Sequence, residues 1–195
     1  MFRSRPGRLL LAMMASGCVS VPAAAQTLLL NDSESFTVTE VGPTDAARIP
    51  DTFDRVTVGL KDGAASFIPK GKPLQTLEPR TIVIQLKDAG IAPLSNTSGY
   101  PDAFPRPGVK QILANDRVTI WDYTWTRGVP TPVHFHTKRV VVTYLAEGVL
   151  RSTAIDGTIG DTKTTFGLVT FNPTGRTHTE TLISGAARAV IVELN

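Results

Sequence analysis

The sequence predicts an all-β protein, and two observations support this prediction. Runs rich in β-branched and aromatic residues recur along the chain from Phe36 onwards, and clusters of Gly, Pro, Asn and Asp separate them. No window of the sequence shows the apolar periodicity of a long amphipathic helix. Many short strands with turn signals between them are typical of a β-sandwich, a jelly roll or a β-barrel.

The predicted strands also indicate an internal repeat. They are, in chain order, "RVTVGL" (55–60), "TIVIQL" (81–86), "RVTIWDYTW" (117–125), "RVVVTYL" (139–145) and "ARAVIVEL" (187–194). The segment 54–66 resembles the segment 138–152, and the segment 79–86 resembles 187–194, in the same order along the chain. A degenerate, shortened N-terminal copy of the C-terminal half would give this pattern, although β-rich segments also resemble one another by chance.

The first 25 residues predict a secretory signal peptide. Three arginines precede an apolar run that is too short to span a bilayer, and "AAA" supplies the small residues of a cleavage site before Gln26. Cleavage there predicts a periplasmic or secreted protein. Alternatively, "MASGC" (14–18) resembles a bacterial lipobox, in which case Cys18 would be lipidated and would anchor the protein to a membrane.

Composition excludes two classes of function for the processed chain. The full chain has 20 Lys and Arg against 17 Asp and Glu, and the three arginines of the signal account for the difference. A neutral chain lacks the positive surface of a nucleic-acid-binding protein, so no nucleic-acid partner is predicted. Because Cys18 is the single cysteine, cleavage before Gln26 would leave neither a disulfide nor a cysteine nucleophile.

All three histidines of the chain lie in two short segments. His134 and His136 lie in "GVPTPVHFHTKRV" (128–140), and because they are two positions apart in a predicted strand, their side chains project from one face. The turn "PTGR" before His178 could return the chain alongside that strand. Three imidazoles at one place predict one divalent metal ion, which could be Zn, Fe, Mn, Cu or Ni.

The spacing of these residues resembles the two motifs of the cupin superfamily. Gly128, His134, His136 and Gly148 fall at the intervals of the first motif; Gly167, Pro173, Gly175 and His178 fall at those of the second. The resemblance implies a cupin-type jelly-roll β-barrel, or double-stranded β-helix, over residues 111–195. Residues 26–110 would then form the degenerate N-terminal cupin-like half and a connector.

The sequence departs from the cupin motifs at two positions. Val141 stands where the first motif usually has a glutamate ligand, and Leu182 stands where the second often has asparagine. Glu180 is two residues beyond His178 in the same predicted strand, so it is the candidate catalytic base. The resemblance implies a metal-dependent oxygenase or isomerase-like enzyme acting on a small molecule; the alternative is a non-catalytic module that binds a metal or a small ligand. Whether the protein is an enzyme stays open.

Three further expectations concern the surroundings of this site. Trp121, Tyr123 and Trp125 share one face of a predicted strand and would line either the core or a ligand pocket. The N-terminal half has no histidine and would complete the β-sandwich or cover the mouth of the barrel. The Pro- and Gly-rich segment 88–109 is expected to cross the surface as a connector. The expected partner is a small molecule, and the protein could form a homodimer.

Overall fold

The computed structural model describes residues 27–75, 77–87 and 92–195; the predicted signal peptide, including Cys18, lies outside them. The strands are β1 (Leu28–Asp32), β2 (Phe36–Val41), β3 (Asp54–Gly59), β4 (Ala65–Ile68), β5 (Thr81–Leu86), β6 (Val109–Ala114), β7 (Val118–Trp125), β8 (His134–Phe135), β9 (Arg139–Tyr144), β10 (Gly148–Ala154), β11 (Ile159–Thr164), β12 (Val169–Asn172), β13 (Thr177–Gly185) and β14 (Ala187–Leu194). A short 3-10 helix, Pro43–Arg48, follows β2. Across the described ranges, no helix is both long and apolar enough to cross a membrane.

The strands form three antiparallel sheets, which confirms the all-β prediction. The N-terminal sheet has the order β1-β2-β5-β3-β4, and the central sheet has the order β12-β9-β14-β7-β6. The third sheet, β11-β10-β13-β8, contains His134 and His178 and is called the histidine sheet below.

The central sheet is buried on both faces because its strands alternate between two cores. One face packs against the N-terminal sheet, and the other packs against the histidine sheet. The first core contains Val118, Ile120, Val141, Val190 and Val192 of the central sheet together with Val56, Ile82 and Ile84 of the N-terminal sheet. The second core contains Trp121, Tyr123, Trp125, Val140, Val142 and Ile191 of the central sheet together with Leu150 and Leu182 of the histidine sheet.

The repeated segments occupy equivalent places in their sheets. β3 and β5 are antiparallel neighbours in the N-terminal sheet, and β9 and β14 are antiparallel neighbours in the central sheet. The N-terminal half supplies one sheet where the C-terminal half supplies two, which agrees with a shortened copy. Of the two roles predicted for it, the structure shows the first, because its sheet completes a sandwich with the outer face of the central sheet.

The connector does not simply cross the surface, so that expectation is wrong for its last part. Its backbone pairs with Phe135 in β8: the Phe135 N–H donates to the Pro101 carbonyl at 2.8 Å, and the Ala103 N–H donates to the Phe135 carbonyl at 2.9 Å. Ala103 and Phe104 are buried in the core behind the histidine sheet. The physical reason is that an exposed edge of β8 accepts an extended segment, whose apolar residues then fill the adjoining space. Residues 88–91 lie outside the described ranges.

The division of the chain into domains stays a prediction. β6 begins at Val109, so the predicted boundary between residues 110 and 111 falls inside this strand.

Candidate metal centre

The histidine sheet brings the three histidines together through two neighbouring strands. His134 in β8 and His178 in β13 are directly opposite each other in an antiparallel pair, which places both side chains on one face. His136 follows β8, where its N–H donates to the Arg176 carbonyl at 2.9 Å and its carbonyl accepts from the Gly175 N–H at 2.8 Å. Gly175 has φ +82°, a conformation that glycine adopts without strain. The turn therefore returns the chain alongside β8, as the sequence predicts.

The distances between the imidazole nitrogens are compatible with one metal ion. The side chains of all three histidines are buried, and one nitrogen of each lies within 4.8 Å of the other two. The Nε2 atoms of His136 and His178 are 3.0 Å apart. Two nitrogens that bind one ion at about 2.0–2.1 Å can be no more than about 4.2 Å apart. His136 and His178 already satisfy this limit, and a small shift brings in the third histidine.

Hydrogen bonds at Nδ1 orient two of the rings. His134 Nδ1 lies 2.8 Å from the Pro132 carbonyl oxygen, which can only accept, so Nδ1 carries the proton and Nε2 carries a lone pair. His178 Nδ1 lies 2.8 Å from the Ser152 hydroxyl, which also accepts from Arg176. Such outer partners orient metal-binding imidazoles in known sites.

Burial keeps the imidazoles neutral, which is the state that binds metals. Desolvation, followed by the charges of the neighbouring histidines, lowers the pKa of His136 to about 2. Desolvation, followed by the positive charge of Arg176, lowers the pKa of His178 to about 2. The pKa of His134 is also lowered, first by desolvation and then by Arg106. The donor set and its protonation state therefore fit a divalent metal ion, and the three histidines could hold one.

Glu180 lies on the inner face of β13, as its spacing from His178 predicts. The pairing of β13 with β10 is regular from His178 to Leu182, so no bulge turns Glu180 away. Its Oε2 accepts a hydrogen bond from Trp125 Nε1 at 3.2 Å and an ion-paired one from Arg106 Nη2 at 3.3 Å. The structure thus places Glu180 beside the histidines, while its catalytic role stays a prediction.

Arg106 is a site residue that the sequence analysis missed. Its side chain is only 6% exposed, and its Nη1 donates to His134 Nε2 at 3.2 Å. The guanidinium carbon lies 4.4 Å from the centre of the Tyr123 ring and 4.8 Å from that of Phe104. The available signal is "AFPRPG" (103–108), in which an arginine between two prolines follows apolar residues within an otherwise polar connector.

The aromatic residues of β7 lie in the core, which is one of the two roles predicted for them. Trp121, Tyr123 and Trp125 belong to the buried core between the central and histidine sheets. Tyr123 and Trp125 also flank the guanidinium of Arg106, where cation–π attraction stabilises the buried charge.

The position of the missing motif glutamate faces away from the histidines. Val141 is fully buried between the central sheet and the N-terminal sheet. Val140, its neighbour, instead lies in the core on the histidine side and borders the same small cavity as His136 and Glu180. A carboxylate at position 141 would therefore point into the opposite core.

That cavity is very small. Its volume is about 10 Å³, which is about the space that a single water molecule needs. It is lined by Phe104, Arg106, Trp125, His136, Val140, Val142, Tyr144, Asn172, Glu180 and Ile191.

Comparisons with known proteins find likenesses in structure alone. No protein-family model matches the chain, and no curated protein matches it. A cupin domain from Bordetella pertussis is 24% identical, with a TM-score of 0.42, over 47% of this chain and 97% of that one. A cupin 2 conserved barrel domain protein from Leptotrichia buccalis is 12% identical, with a TM-score of 0.49, over 90% of this chain and 91% of that one. A polyketide cyclase from Streptomyces resistomycificus is 19% identical, with a TM-score of 0.38, over 54% and 80%.

The central and histidine sheets face each other around one core, with the three histidines on the second sheet, as the two motifs predict. This chain has the cupin fold. The cupin barrel is formed by the C-terminal half, and the N-terminal sheet covers its outer face.

Proposed function

We propose that this protein binds one divalent metal ion through His134, His136 and His178 and takes a small molecule beside it. The observation that supports the proposal is the convergence of three buried, neutral imidazoles within 4.8 Å. Imidazole ligands suit Zn, Cu, Fe and Ni, and three protein ligands leave room for a further one.

The surrounding residues favour an enzyme of the oxygenase or isomerase-like type. A metal held there would supply a Lewis acid that polarises oxygen atoms of a small ligand. Glu180 is the proposed base, because it is the carboxylate beside the histidines and Trp125 fixes its Oε2. Desolvation raises the pKa of Tyr144 to about 12, so its hydroxyl keeps its proton and can donate but not act as a base.

The second candidate function is a non-catalytic module that retains a metal or a small ligand. It is favoured by the cavity of about 10 Å³, which leaves little room for a substrate while Arg106 holds its position between His134 and Glu180.

We also propose that the protein acts in the periplasm or is secreted, with Gln26 as its mature N-terminus. The basic and apolar segments before the small residues 23–25 support this proposal. Lipidation at Cys18 is the alternative.

Elemental analysis of the purified protein tests the metal proposal. We expect about one divalent ion per chain in the wild type and little in His136→Ala, because the variant loses one of three ligands. Ile155→Ala is the matched control, since Ile155 is 64% exposed in the turn after β10 and should leave the metal content unchanged. Circular dichroism would show that all three proteins are folded. Equal metal content in the three would mean that the histidines are not ligands.

A further inference from the structure

Arg106 carries a buried positive charge. The guanidinium cannot keep all of its hydrogen bonds when a metal ion binds. Its Nη1 donates to His134 Nε2, and its Nη2 donates to Glu180. Its Nε is buried and has no hydrogen-bond partner. Since the guanidinium stays protonated in proteins, this charge is permanent.

A metal ion and Arg106 would compete for the same lone pair. The Pro132 carbonyl accepts a hydrogen bond from the Nδ1–H of His134, so Nε2 has a lone pair and no proton to donate. A metal ion that takes this lone pair deprives Arg106 Nη1 of its acceptor. A buried donor without an acceptor is unfavourable, so another acceptor must replace it.

The positive charges around the histidines also favour the binding of an anion. Among the groups that hydrogen-bond Arg106, Arg176 and the three histidines in the described structure, Glu180 supplies the one carboxylate. Two guanidinium groups and a divalent ion would therefore share one directly bonded carboxylate, since Glu193 acts on Arg106 without a hydrogen bond to it. Buried charges persist only when they are paired, so the site is short of negative charge once it is loaded.

We propose that the small molecule is a carboxylate, and that Arg106 binds its carboxylate group beside the metal. This inference rests on the metal site proposed above. The planar fork of a guanidinium matches the two oxygens of a carboxylate, which would replace the acceptor lost at His134.

The walls of the cavity define which carboxylate fits. Val140, Val142 and Ile191 form the apolar side of the cavity, and its volume is about 10 Å³ with Arg106 hydrogen-bonded to His134. A short chain with one carboxylate suits this space better than a tetrahedral dianion such as phosphate, because the dianion needs more donors and more room.

The test uses the full-length mature chain loaded with Co²⁺, whose visible absorption spectrum reports on new ligands. Titration with acetate should change the spectrum of the wild type. Arg106→Gln should bind acetate at least 10-fold more weakly, because it loses the charge and the fork. Glu180→Gln should bind acetate more tightly, because it removes the negative charge that competes with acetate for Arg106. Arg151→Gln is the matched control: Arg151 lies in the histidine sheet, pairs with Asp161 and is half-exposed, so acetate binding should not change.

Three other results would overturn separate parts of this proposal. Failure of the wild type to take up Co²⁺ would overturn the metal site itself. Co²⁺ uptake with equal acetate affinity in the wild type and Arg106→Gln would overturn the role of Arg106 and leave the metal site intact. Tighter binding of inorganic phosphate than of acetate would overturn the carboxylate class. If Arg106→Gln unfolds, Arg106→Lys replaces it and should also bind acetate more weakly, because it keeps the charge without the fork.

Discussion

The two faces of the central sheet consist of different kinds of residues, although the same strands build both. The face toward the N-terminal sheet is aliphatic, with Ile120 and Val141 as examples, and has no exposed side chain among its core members. The face toward the histidine sheet has aromatic residues with polar atoms, such as Trp121 and Trp125, whose N–H groups donate to Glu193 and Glu180. Because successive residues of a strand point to opposite faces, neighbouring residues of one sheet contribute either to the aliphatic core or to the surroundings of the histidines.

Removal of the N-terminal sheet should have the largest effect on this arrangement. A chain of residues 92–195 keeps Arg106 and every histidine but exposes an aliphatic sheet face. We expect it to be insoluble or associated, because large apolar patches promote aggregation. Size-exclusion chromatography against the mature full-length chain would measure this. A soluble, monomeric and metal-loaded fragment would show that the N-terminal sheet is an independent appendage.

Glutamate substitutions at two adjacent positions of β9 compare the faces directly. Val141→Glu buries an unpaired charge between two sheets and should lower the free energy of unfolding by about 3–5 kcal/mol without improving metal binding. Val140→Glu places its carboxylate beside His136 and Arg106, so it should lower stability less and raise metal affinity. Urea unfolding with a chelator and a metal titration would measure both effects. Tighter metal binding in Val141→Glu alone would contradict the assignment of the two faces.

A smaller effect on stability is expected when the pH is lowered. It arises from the histidines, which lie on the side of only one of the central sheet's two cores. The pKa values of His136 and His178 are about 2 in the folded protein and about 6.5 when unfolded, so the unfolded chain binds more protons between these values. Stability of the metal-free protein is therefore complete above pH 6.5 and falls as pH decreases. At pH 5.5 each histidine should account for a loss on the order of 1 kcal/mol.

Urea unfolding with a chelator at pH 7.5 and 5.5 would measure this loss. The matched control is His136→Gln, which should lose less stability between the two pH values than the wild type does. Glu193, whose pKa is raised by burial, acts in the opposite direction in both proteins and cancels in the comparison. An identical pH dependence in the two proteins would mean that His136 titrates normally.

The parts of the site that were predictable from the sequence depend on short-range spacing. His134 and His136 share a face because they are two residues apart, and Glu180 shares the face of His178 for the same reason. The strand-rich pattern and the turn before His178 were likewise local signals, which is why the fold and the meeting of two histidine segments could be predicted.

The parts that were missed depend on long-range contacts, or on which face of a strand a residue occupies, and residue spacing does not show either. Arg106 reaches the histidines because an irregular segment docks on the edge of β8, and such a segment has no periodicity to count. The motif spacing also does not show that Val141 faces the N-terminal sheet, because the motif is counted back from Gly148 across a turn, and a difference of one residue exchanges the two faces of a strand.

The position of β14 has a consequence for how the protein is made. This strand lies between β9 and β7, in the middle of the central sheet, and a ribosome synthesises it after β1 to β13. Until it emerges, β7 and β9 each have an open edge and the N-terminal sheet has no complete surface on which to pack. Pairing over such long sequence separations is slow, and the open edges are exposed to other nascent chains in the interval. The central sheet therefore cannot be completed before β14 has been synthesised.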